Sequence, residues 1–173
     1  RRKALMAYCL EPHENPSEGL KRIAREQLDH AIESATNPDM DRDDAVHDVR
    51  KRMKKLRAVL RIARDELGTD VYKSENARFR DTAKRLAVLR ETTVLVGTVD
   101  KLKSHFVDQL DVTAFDTPLK NLREHRDQAH TENLERNNAL EEVLDEIRNA
   151  RKRVKDWPLK TKDFSTMAKG VRR

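Results

Sequence analysis

Val46-His47-Asp48-Val49-Arg50-Lys51-Arg52-Met53-Lys54-Lys55-Leu56-Arg57-Ala58-Val59-Leu60 decides how the rest of the chain is read. Val46, Val49, Met53, Leu56, Leu60 and, beyond the stretch, Ala63 recur at intervals of three and four, the spacing of one buried helical stripe. With His47 as zero and about 100° per residue, Arg50, Lys51, Lys54, Arg57 and Arg61 fall within about 80° of it, on the opposite half. The helix packs by one face and presents a column of cations by the other.

Residues 49–64 hold eight lysines and arginines and no acid, whereas the whole chain carries 37 Lys+Arg against 31 Asp+Glu, a net +6. Like charges three and four apart repel by roughly a few tenths of a kcal/mol per pair, so local stability favours interspersed acids. Elsewhere the signs are mixed, as in Arg123, Glu124, Arg126 and Asp127. A face that only keeps the protein hydrated is the alternative, and the absence of acids weighs against it. A column of about 20–24 Å suits a linear polyanion, whose phosphates accept charge-assisted hydrogen bonds from guanidinium and ammonium groups.

The chain of 173 residues has 4 Gly and 5 Pro, too few for the turns of an all-β or doubly wound fold. Helices remain, in an all-α antiparallel bundle of about four to five. The first opens at Ser17 with Leu20, Ile23, Ala24, Leu28, Ala31, Ile32 and Ala35 on one face and ends at Asn37-Pro38. The second spans 42–67 from the acidic run 41–44 to Gly68, and the third 70–109 with Phe79, Ala83, Leu86, Leu89 and Val96 inward and Gly97 as a weak point. The fourth runs from Thr117-Pro118 to Lys155, before Trp157-Pro158, and a short piece follows over 164–171. The long third and fourth helices outrun the second, so the turn at 110–116 is expected to project as a hairpin; a loop breaking the fourth helix is the alternative. No run approaches a membrane span, residues 4–10 are too short an apolar run for a signal sequence, and one cysteine, Cys9, supplies neither a disulfide framework nor a thiolate zinc cage. A cytoplasmic location is expected.

The third helix carries a second basic column, Lys73, Arg80 and Lys84, with Arg90 at the border of its apolar stripe. If the columns face one another, the helices 42–67 and 70–109 line a basic groove.

The quoted stretch resembles the signature helix of the CHAD domain, the conserved histidine α-helical domain. Arg80 with Leu86-Ala87-Val88-Leu89-Arg90-Glu91-Thr92-Thr93-Val94-Leu95 resembles that family's second motif, which usually has Arg-Asp where this chain has Arg90-Glu91, and Trp157-Pro158-Leu159 with Gly170-Val171-Arg172-Arg173 resembles its connection into a second half. The resemblance covers 17–173, the N-terminal half of a two-fold pseudo-symmetric helical domain, and leaves 1–16 as an N-terminal extension. It implies non-enzymatic binding of inorganic polyphosphate in the groove, association with polyphosphate granules, and a CYTH-type triphosphatase as a possible neighbour. The contacting set is then His47, Arg50, Lys51, Lys54, Arg57, Arg61, Arg80, Lys84 and Arg90, to which the second column adds Lys73. A homodimer completing the missing half is expected, because half a domain exposes the apolar surface its partner covers.

No Gly-x-x-x-x-Gly-Lys-Ser/Thr, Gly-x-Gly-x-x-Gly or His-Glu-x-x-His pattern occurs, nor the Glu-x-Glu-x-Lys of CYTH hydrolases, so neither catalysis, cofactor nor metal is expected. His125 and His130 are five apart, about 140° on a helix, which disfavours a metal pair with Asp127. His47 could serve a histidine phosphotransfer bundle or pack between helices, but its cationic neighbours favour a phosphate contact. Nucleic-acid binding is disfavoured because no aromatic interleaves the basic run to stack on single-stranded bases, and a non-specific duplex binder stays open as an alternative.

Overall fold

The computed structural model describes residues 8–132 and 138–160, and its regular elements there are all helical. Helix α1 is Pro16–Thr36. Its cap is Asn15, not Ser17: Asn15 Oδ1 accepts from the Ser17 and Glu18 amides at 3.0 and 3.3 Å, with Pro16 at the first helical position, where its missing N–H is no loss. Helix α2, Arg42–Ile62, is capped by Asp41, which accepts from Asp43 N at 2.8 Å.

α2 ends at Ile62 rather than Gly68. Ala63, at φ −85° and ψ 4°, turns the chain, and α3, Arg64–Arg85, contains Gly68 at φ 75° and ψ 163°, a conformation open only to glycine. The expected helix 70–109 is also divided, because Leu86, at φ −93° and ψ 7°, separates α3 from α4, Ala87–His105. Neither Ala63 nor Leu86 breaks a helix by residue type. Both are fully buried, so each joint is held by packing.

A 3-10 turn, Val112–Phe115, leads into α5, Asp116–His130. The expected fourth helix is divided as well: α6, Ala139–Arg153, begins after Asn138 in the left-handed region and runs into a 3-10 turn, Val154–Asp156. The expected piece at 164–171 lies outside the described residues.

Side-chain pairs fix the topology. Ser34 with Asp48 and Gln27 with Arg52 set α1 against α2; Glu75 with Arg153 and Arg85 with Glu142 set α3 against α6; Asp29 with Arg151 sets α6 against α1. α1, α2, α3 and α6 thus form an up-down-up-down four-helix bundle. Its core includes Leu28, Val49, Met53, Leu56, Leu60, Phe79, Leu86, Leu89 and Ile147, each at most 1 % exposed. Ala83, expected inward, is half-buried against this core.

α4 and α5 form the hairpin between α3 and α6, with Asp100 opposite Arg123 and Lys103 opposite Asp116. At its base Asp43 gathers three helices: Thr93 Oγ1 donates to Asp43 Oδ1 at 2.6 Å, and His130 Nε2 lies 2.9 Å from the same oxygen. The outer face of α4 carries exposed Val88, Leu95 and Leu102, seven residues apart. No helix among the described residues is long and apolar enough to cross a membrane.

The N-terminal segment is packed. Leu10 and Glu14 lie over Gly19, where a Cβ would approach Leu10 Cδ2 to 2.3 Å. Arg22 ties the segment down through Glu14 at 2.8 Å and the Cys9 carbonyl at 3.0 Å.

Candidate functional site

Helix α2 has α1 on one flank and α3 on the other, which sorts its cations by direction. Arg52 faces α1, donating to Asp48 at 3.0 Å and to the buried Gln27 side chain at 3.0 Å. Asp48 also accepts from Ser34 Oγ at 2.8 Å. Burial pushes the Asp48 carboxyl up, but Arg52 and Ser34 outweigh it and hold the group below its ordinary range. Lys55 lies 5.0 Å over the ring of Tyr8, whose hydroxyl donates to the Lys55 carbonyl at 2.8 Å. Burial, then Arg52 and Lys51, lower the Lys55 pKa. Arg64 lies 5.0 Å over Tyr72. These three are the cations of the run that the wheel left off the column, and each has a partner in the bundle or in the N-terminal segment packed on it.

The column lies on the outer ridge and on the α3 flank. His47, Lys51, Lys54 and Arg61 are exposed, and Arg50 and Arg57 are half-buried toward α3. Arg50 Nη1 donates to the main-chain carbonyl of Ala83, and Arg57 Nε donates to Asn76 Oδ1 at 2.9 Å. Seven residues forward on α2 correspond to seven back on α3, an antiparallel register. Extended, it sets Arg50, Lys54 and Arg61 within one residue of level with Lys84, Arg80 and Lys73, respectively. The wheel of α3 puts Lys73, Arg80 and Lys84 on one side, next to Asn76, and all three are exposed. Arg90 is half-buried on the first turn of α4, beyond the Leu86 break.

The two rails differ in how committed their charges are. Arg80 is paired with Asp81 at 2.9 Å, and that hydrogen bond raises the Arg80 pKa and lowers that of Asp81. Both groups are exposed, so water and salt weaken the pair. Among the described residues, His47, Arg50, Lys51, Lys54, Arg57, Arg61, Lys73, Lys84 and Arg90 have no ion-paired carboxylate. A cleft of about 630 Å³ between α3 and α6 contrasts with this face. Its Arg78 and Arg85 already meet Glu146 and Glu142.

A family model of the CHAD domain matches residues 22–172. The chain belongs to the CHAD domain family. No curated protein and no solved structure matches it. The signature helix of this CHAD domain is α2, its second-motif residues lie on α3, Leu86 and α4, and the Leu86 break falls inside that motif.

Three features escaped the sequence reading. Asn76 looked like an ordinary helix-surface residue, the Ala83 carbonyl is invisible in a sequence, and the pairing of Arg80 with Asp81 arises between adjacent residues that a wheel separates. The neighbouring position of Asp81 was the one signal available.

Proposed function

We propose that this CHAD domain binds inorganic polyphosphate along the face between α2 and α3, without transforming it. The observation that carries the proposal is the antiparallel register of the two basic rails, which places unpaired cations of α2 beside those of α3 along one continuous strip. An extended polyanion can then meet several cations at once, each phosphate contact releasing counterions. Arg supplies planar forks and Lys mobile point charges, a combination suited to a repeating phosphate backbone rather than one docked small molecule. Concentration at polyphosphate granules would follow from affinity for the polymer.

The test is a titration with long-chain polyphosphate in parallel with a variant carrying Lys54→Glu and Arg57→Glu. Salt-sensitive binding by the wild type and its loss in the variant are expected. Unchanged binding by the variant contradicts the assignment of this face. A short duplex DNA that displaces polyphosphate at equal phosphate concentration would instead favour general polyanion binding.

Self-association belongs to the same proposal. Exposed Val88, Leu95 and Leu102 give α4 an apolar stripe suited to a second helix. Sedimentation equilibrium of wild type and Leu95→Glu should show a concentration-dependent mass in the first alone; a monomer at all concentrations contradicts it.

A further inference from the structure

We infer that Asn76 is a positioning residue for anion binding, acting through Arg57. The inference rests on the polyphosphate reading above and specifies how one cation of the face is aimed. Arg57 lies at the edge of the cationic half of α2, about 80° from His47 on the wheel, and is half-buried, so its stem starts against α3. An arginine so placed can lie along the neighbouring helix or extend outward, and holding its four side-chain torsions in one arrangement costs rotamer freedom. Asn76 settles the choice. Only the amide oxygen can accept from a guanidinium, so the Asn76 amide is held with Oδ1 toward Arg57 Nε at 2.9 Å.

The hydrogen bond uses Nε alone. The two terminal nitrogens remain, and their parallel N–H groups form an end-on pair that can grip two oxygens of one phosphate. A carboxylate at position 76 would hold Arg57 in the same place but cancel its charge; a neutral acceptor orients it and leaves the charge to the ligand. The opposite case lies nearby on the same helix, where Asp81 pairs with Arg80 through both oxygens. At the next site along α2, Arg50 is held by the Ala83 carbonyl, again a neutral oxygen. The two half-buried arginines of the column are therefore both oriented without being neutralised.

The test measures polyphosphate affinity across a series of salt concentrations for the wild type, Asn76→Leu, Asn76→Ala, Arg57→Gln and the double variant Asn76→Leu with Arg57→Gln. The near-isosteric leucine keeps the packing, and thermal unfolding of each variant reports its folding. Asn76→Leu and Asn76→Ala should weaken binding about three- to tenfold with an unchanged slope of log affinity against log salt, since no charge is removed. Arg57→Gln should weaken binding and reduce that slope by roughly one unit. In the Arg57→Gln background Asn76→Leu should change nothing further. Wild-type affinity in both Asn76 variants, or equal weakening by Asn76→Leu with and without Arg57, overturns the positioning role while leaving the polyphosphate reading intact. Absence of polyphosphate binding by the wild type overturns the reading and the positioning role together.

Discussion

Arg50 of the basic column donates to the main-chain carbonyl of Ala83, which an unbroken helix would give to the Ala87 N–H. One residue thus serves two levels: its guanidinium lies in the candidate site and also holds the joint at which α3 gives way to α4. That joint aims the hairpin and places Arg90. Truncating Arg50 leaves a carbonyl at the joint without its charged donor. Arg50→Ala should lower stability by about 1.5–3 kcal/mol, read by chemical denaturation, and Arg50→Lys should recover only part of it because one ammonium cannot reproduce the fork. Wild-type stability in Arg50→Ala would show that the contact does not hold the joint.

Asp81 limits the contribution of Arg80. Both are exposed, so the pair is weak and an incoming polyanion competes with it. Asp81→Asn should strengthen polyphosphate binding and steepen its salt dependence by roughly one unit. Unchanged affinity and slope would remove Arg80 from the contacting set.

Acid should release the N-terminal segment. The hydrogen bond from Arg22 is the main reason that the Glu14 carboxyl falls from its ordinary 4.5 to about 2. A carboxyl depressed in the folded state stabilises it fully above the unfolded pKa and loses that contribution as pH falls through the folded one. The window is therefore about pH 4.5 down to about 2, and Asp48, also depressed, adds in the same direction. The melting temperature should fall across this window, and Glu14→Gln should flatten the fall while lowering stability at neutral pH. An equally steep fall in Glu14→Gln would contradict the assignment.

Two glycines should respond oppositely to alanine. Gly97 is inside α4 and a Cβ there meets nothing within 4 Å, so Gly97→Ala should stabilise by up to about 1 kcal/mol through helix propensity. Gly68 has equal space, but its φ of 75° makes Gly68→Ala cost roughly 1–3 kcal/mol of strain. Denaturant midpoints moving in the same direction would contradict one of the two readings.

The amphipathic faces were legible because burial imposes a period. Leu20, Ile23, Leu28, Met53, Leu56 and Phe79 all occupy the core that their spacing predicts. The turn between the two hairpin helices was legible too, but not their length: the expected helices 70–109 and 117–155 are each divided, the first at Leu86 and the second between His130 and Ala139. The joints were not legible. Ala63 and Leu86 have ordinary residue types, and their backbone is bent by what packs around it, including a donor from another helix. For the site, the wheel separated the outward column from Arg52, Lys55 and Arg64, because direction along a helix follows from number alone. It could not show which neighbouring oxygen each arginine meets, since Asn76 and Ala83 come together with α2 only through the register of two helices.

The most direct measurement of the central claim is a crystal structure of this chain with a short phosphate oligomer. The account predicts phosphates along the strip between α2 and α3, within hydrogen-bonding reach of Lys54, Arg57 and Arg61 on one side and Lys73 and Arg80 on the other. An oligomer bound on another face, with this strip empty, would contradict it.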